Sequence, residues 1–92
     1  MKKILRWVIL GTKGGYNRAK IIIALKKRPY NTNQLKNTLN LNYKTIAHHL
    51  EVLEELGVIE SSGPNYGKVY FLSDKMEEQY DDFRSIWEQL EK

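Results

Sequence analysis

The run Asn31-Thr-Asn-Gln-Leu-Lys-Asn-Thr-Leu-Asn-Leu-Asn-Tyr-Lys-Thr-Ile-Ala-His-His-Leu-Glu-Val-Leu-Glu-Glu-Leu-Gly-Val-Ile59 decides the architecture. Asn31 is a good N-cap, and Gln34, at the third helical position, can reach back to it in a capping box. Leu35 and Leu39 then form an i, i+4 apolar pair on a short helix. Asn40 stands where a left-handed residue ends that helix, a conformation asparagine tolerates. Leu41 anchors the turn and Asn42 caps a second helix, Tyr43 to Leu56, stopped by Gly57. The apolar face of this helix is Ile46, Leu50, Leu53 and Leu56. At about 100° per residue, Lys44, His48, Glu51 and Glu55 lie opposite, Thr45 and Val52 flank them, and His49 sits at the stripe's edge.

Downstream, Val58 to Ser61 and Lys68 to Leu72 read as two β-strands joined by the loop Ser62-Gly-Pro-Asn-Tyr-Gly67, longer than a tight two-residue turn. Two short helices joined by a tight turn and followed by a hairpin make the winged helix-turn-helix plan. The expected fold is therefore mainly α with a two-stranded β-hairpin wing. Its second helix is narrow enough for the major groove of DNA while its back packs on the core.

Upstream, Lys3 to about Leu10 reads as a helix that is apolar almost all round. A second helix is expected from an N-cap at Asn17 to about Arg28, where Pro29 stops it. Ile21, Ile22 and Leu25 are its buried stripe, and Lys26, Lys27 and Arg28 suit its C-terminal dipole. The last helix starts at Asp74. Along it Met76, Tyr80, Phe83, Trp87 and Leu90 repeat at coiled-coil-like spacing. So long a stripe exceeds what one small core easily covers. The terminal helices, 3–10 and 74–91, are accordingly expected to form a homodimer interface through Ile4, Trp7, Val8, Met76, Tyr80, Phe83, Trp87 and Leu90.

Ninety-two residues with 41% apolar and 28% charged content describe one ordered domain, 1–92. There is no cysteine, which excludes disulfides and thiolate zinc sites. Arg6 splits the apolar start, and Lys13 and Arg18 follow where a signal peptide would be cleaved. A cytoplasmic protein without a membrane span is the expectation. The net charge of +4 conceals a sharp segregation. Residues 1–50 hold eleven Lys or Arg and no acid, whereas residues 51–92 hold four against eleven acids. Such asymmetry points to a polyanion-facing N-terminal half.

The run 31–59 and the wing strand Lys68-Val-Tyr-Phe-Leu72 resemble the ArsR-type winged-helix repressors, particularly archaeal members, over about residues 17–72. Family sequences read as a capped short helix ending in Leu-Gly-Leu-Ser, a β-branched residue, a few polar ones, His-Leu, then Leu-x-x-x-Gly-Leu-Val. Their wing strand reads Arg-Val-Tyr-Tyr-x-Leu. The resemblance implies a homodimer, a recognition helix at 42–56 and a wing tipped by Asn65 to Lys68. The cysteine-rich metal sites of the family are absent, so metal sensing is not carried over. No cofactor, metal or small-molecule effector is expected.

The residues expected at duplex DNA are Tyr43, Lys44, Thr45 and His48 on the recognition helix, with Asn65, Tyr66 and Lys68 on the wing 61–68. Lys13, Arg18 and Lys36 are added as phosphate contacts. His49, at the stripe's edge, is expected to be a packed, hydrogen-bonded residue. Adjacent histidines diverge by about 100° on a helix and make a poor metal pair. Two other readings compete with a sequence-specific DNA-binding regulator. One is a protein-interaction winged helix in a transcription or processing complex. The other is RNA binding through Gly11-Thr-Lys-Gly14, a GxxG as in KH domains, although only two strands of the three that plan needs are visible. No serine, histidine and acid are grouped for catalysis, and an enzyme is not expected.

Overall fold

The computed structural model describes residues 1–91. Its elements are α1 (Lys2–Leu10), α2 (Gly15–Lys27), β1 (Tyr30–Asn31), α3 (Thr32–Leu39), α4 (Tyr43–Glu55), β2 (Ile59–Ser62), β3 (Val69–Leu72), α5 (Asp74–Glu78) and α6 (Tyr80–Glu91).

The helix-turn-helix follows the expected local chemistry. The Asn31 side chain accepts from the Gln34 amide, and the Gln34 side chain accepts from the Asn31 amide, both at 2.8 Å, which completes the capping box. Asn40 is left-handed at φ 54°, ending α3. Asn42 then caps α4 by accepting from the Lys44 amide at 2.8 Å. Leu35, Ile46, Leu50 and Leu53 are buried together with Leu5, Ile9, Ile21, Ile22, Val58 and Ile59 in one core.

The sheet has three strands rather than the two of the expected hairpin. β3 lies in the centre, antiparallel to β2 on one side and to β1 on the other, with Tyr30 opposite Tyr70 and Ser61 also opposite Tyr70. β1 is only two residues long, too short to leave an alternating pattern. Pro29 holds the preceding chain extended and so delivers Tyr30 and Asn31 to the sheet edge. The wing turn carries a short 3-10 segment at Asn65–Gly67. Ser61 Oγ donates to Glu54 Oε2 at 2.6 Å and ties the base of the wing to α4.

Three further expectations need correction. α2 starts not at an Asn17 cap but at Gly15, after a left-handed Gly14 at φ 83°. The C-terminal helix is two helices: α5 is capped by the Ser73 side chain, which accepts from the Met76 amide, and it breaks at Gln79 before α6. Finally, the stripe does not all face outward. Val8, Met76 and Phe83 are fully buried within the single chain, so they cannot be the surface that meets a second copy. α6 packs on α1 instead, and Val8 and Phe83 lie on these two helices, while Met76, on α5, is part of the same core. Ile4 and Trp7 remain exposed on α1, while Tyr80, Trp87 and Leu90 are half-buried against the core.

Candidate nucleic-acid interface

α4 presents two different sides. Ile46, His49, Leu50 and Leu53 are buried, whereas Tyr43, Lys44, His48, Glu51 and Glu55 are exposed and Thr45 is half-buried. The exposed side changes sign along its length. Lys44 and His48 stand near the N-terminus, where unpaired backbone N–H groups favour anions. Glu51 and Glu55 stand further on and would repel a phosphate chain. Of the exposed side of α4, only the first two turns are thus free of acidic side chains.

The structure brings those turns to the wing. Tyr43 and Ala47 of α4, Asn65, Tyr66 and Lys68 of the wing, Tyr70 of β3 and the α3 start at Asn31, Thr32 and Asn33 line one polar groove of about 250 Å³. Four of the expected residues, Tyr43, Asn65, Tyr66 and Lys68, thus meet at one place. Tyr66 is 96% exposed at the wing tip, with no apolar burial to explain it. The Lys68 ammonium lies 5.8 Å from the Tyr70 ring centre, a cation–π contact that steadies the side chain at the groove wall. Asn31, Thr32, Asn33, Ala47 and Tyr70 were not anticipated. The polar pair Thr32-Asn33, placed at a helix start with no buried role, was the available signal. Lys13 and Lys36 are exposed but do not line this groove.

Arg18 is a correction. It is only 6% exposed and its guanidinium points inward. Nε donates to His49 Nδ1 at 3.1 Å, and one terminal nitrogen donates to Thr12 Oγ1 at 2.8 Å and to the Val8 carbonyl at 3.3 Å. The side chain therefore pins α4 to α1 and the loop after it, and it is not a free phosphate contact. His49, 5% exposed, is packed and hydrogen-bonded as expected. Since Arg18 can only donate, Nδ1 must be the bare nitrogen and the imidazole proton sits on Nε2, which has no partner. Burial foremost, then the Arg18 charge, then His48, holds the His49 pKa below the ordinary histidine value. Burial likewise lowers the Arg18 pKa, although a guanidinium stays charged.

A capped helix pair, a three-stranded sheet carrying the wing and a polar groove between them define a winged helix-turn-helix domain. Residues 16–61, half of the chain, match the family model described as bacterial regulatory protein, arsR family. The chain belongs to the arsR family of regulatory proteins and is a DNA-binding transcription regulator of the winged-helix type. Among solved structures, it is similar to the reduced form of the transcriptional regulator YodB from B. subtilis, with TM-score 0.71 and 21% identity over 88% of this chain and 80% of that one. A probable transcriptional regulator from Pseudomonas aeruginosa gives TM-score 0.71 and 20% identity over 96% and 72% of the two chains. The transcriptional repressor BigR from Xylella fastidiosa gives 0.60 and 19% over 74% and 72%. These structures share the fold. No curated protein sequence matches the chain. No helix among the described residues is long and apolar enough to cross a membrane.

Proposed function

We propose that the protein regulates transcription as a homodimer that reads duplex DNA sequence-specifically, with α4 in the major groove and the wing 61–68 on the flanking backbone or minor groove. The observation that carries this reading is the polar groove joining Tyr43 of α4 to Asn65, Tyr66 and Lys68 of the wing. Lys44, Thr45 and His48 on the same two turns are the base-reading candidates, and Lys13 and Lys36 supply phosphate contacts from outside the groove. Two α4 helices about 34 Å apart would read an inverted repeat.

The deciding experiment measures affinity for a selected duplex against salt. About 6–10 phosphate contacts per dimer give a log K against log salt slope near −5 to −9. A slope near zero would remove DNA from the function and leave the protein-interaction reading. Lys44→Ala and His48→Ala are expected to relax base preference by about 1–3 kcal/mol for each lost base contact, read by competition among single-base variants of the site. Preference unchanged in both variants would assign readout to other residues.

The dimer surface proposed is the outer side of α1 and α6. Ile4, Trp7 and Leu10 are exposed there, Trp7 at 55%, and the exposed Tyr16 ring lies 5.4 Å from that of Trp87. Tyr80 and Leu90 are half-buried on the same C-terminal segment. Trp7→Ala and Trp87→Ala should each weaken self-association, seen as a shift toward monomer in sedimentation at micromolar concentration. An unchanged sedimentation profile for both would move the interface elsewhere.

A further inference from the structure

A second groove, of about 230 Å³, lies between α2 and the C-terminal turn of α3. It is lined by Lys20, Ile23, Ala24 and Lys27 from α2, Tyr30 from β1, and Thr38 and Leu39 from α3. Lys20 and Lys27 are seven residues apart, two helical turns, and Ile23 and Ala24 lie between them on the same face. The floor is thus apolar and a lysine lies to either side of it along α2. Among the described residues, neither lysine has a carboxylate within ion-pair distance. Lys26 takes Glu77 at 2.7 Å, and Arg84 pairs with Asp81. The Lys20 ammonium rests 5.5 Å from the Tyr16 ring centre, and the Arg28 guanidinium stacks 4.5 Å over Tyr30, adding a third cation beside the groove. Tyr30 and Thr38, both hydroxyl-bearing, are among its lining residues.

An apolar floor between unneutralised cations complements a molecule that is apolar in its body and anionic at its end. The volume falls below the roughly 300–1,000 Å³ of sites that enclose drug-sized ligands, so the molecule is small. We propose that this groove binds a small amphipathic carboxylate, one aromatic ring or a short alkyl chain ending in one anionic group. Its place in the fold gives such a ligand a route to the DNA-facing groove. Tyr30 lines this groove and the next residue, Asn31, lines the other. Successive residues of a strand point to opposite faces, so β1 stands between the two sites. Asn31 also caps α3. Pressure on Tyr30 therefore reaches the start of the helix-turn-helix.

The test uses the full chain without DNA, so its failure is separate from failure of the DNA reading. Benzoate and hexanoate are titrated while the methyl signals of Ile23 and Leu39 and the amide of Asn31 are followed by NMR; benzamide and hexanamide serve as uncharged counterparts. Saturable shifts at Ile23 and Leu39 are expected for the acids, with binding at least about tenfold weaker for the amides. The double variant Lys20→Gln, Lys27→Gln should weaken acid binding about tenfold, whereas Lys2→Gln, Lys3→Gln, the same loss of charge elsewhere, should not. Absence of saturable shifts up to about 10 mM acid, or equal binding of acid and amide, would overturn the site. Shifts at Ile23 and Leu39 without one at Asn31 would overturn the coupling.

Discussion

Gly15→Ala is expected to lower the melting temperature by about 12–24 °C, with a loss of about 3 kcal/mol or more of stability. The reason is a backbone approach. A Cβ on Gly15 would stand 1.7 Å from the carbonyl oxygen of Ile9 and 2.6 Å from its carbonyl carbon. Neither atom can rotate away, because both belong to α1, whose Leu5, Val8 and Ile9 are locked in the core. The first turn of α2 would have to leave α1, and Arg18, one turn further, would lose its bonds to Val8 and Thr12. Gly67→Ala is the matched control. Nothing lies within 4 Å of its Cβ position and its φ is not in the left-handed region, so its effect should stay within about 0.5 kcal/mol. Thermal melts of both variants followed by circular dichroism decide the matter. Equal melting temperatures would show that the α1–α2 junction can relax.

The second large effect concerns the buried pair of Arg18 and His49. His49→Ala removes the acceptor of a buried guanidinium nitrogen and should cost about 1.5–3 kcal/mol at pH 8, as losing a buried hydrogen bond to a charged group does. The acid side follows from the same geometry. His49 titrates below its unfolded value, so in the interval between the two the unfolded chain holds the extra proton. Its contribution to stability is therefore complete above about pH 6.5 and declines as the pH falls from there toward the folded value. For one proton the slope across that interval is at most about 1.4 kcal/mol per pH unit. Protonation would put an N–H on Nδ1 facing the Arg18 Nε–H, two donors and two positive charges, with no acid in the first fifty residues to balance them. His49→Asn keeps an acceptor for Arg18 without a titrating group. It should flatten the melting-temperature profile between pH 5.5 and about 7.5 while costing less at pH 8 than the alanine variant. His48→Ala removes only the smallest of the three causes that lower the His49 pKa and should leave most of the slope in place. A wild-type profile as flat as that of His49→Asn would show that the pair does not open to protons.

How much could be read without coordinates depended on whether each feature was local. The helix-turn-helix was legible because its signals lie within a few residues of one another. Asn31 and Gln34 close their box, Asn40 turns left-handed, Asn42 caps α4, and Ile46, Leu50 and Leu53 share a face through the helical period alone. The division of α4 into a buried and an exposed side, with His49 inside and His48 outside, followed from the same geometry. Tyr43, Asn65, Tyr66 and Lys68 were also identifiable as one polar group once a wing was expected.

Tertiary structure alone decided what depends on partners distant in the chain. β1 exists because Tyr30 and Asn31 find Tyr70 and Val69, some forty residues on, and two residues carry no period of their own. Arg18 looked like a surface cation, but its acceptors on Val8, Thr12 and His49 come from two helices and a loop. Met76 and Phe83 looked like half of a dimer interface, but both are buried in the core of the single chain, where α6 packs on α1. Spacing along a helix determines which side chains share a face, because the backbone repeat is set by local hydrogen bonds. Which neighbour covers that face is a competition among all the apolar surfaces of the chain, and that outcome is settled only when they pack.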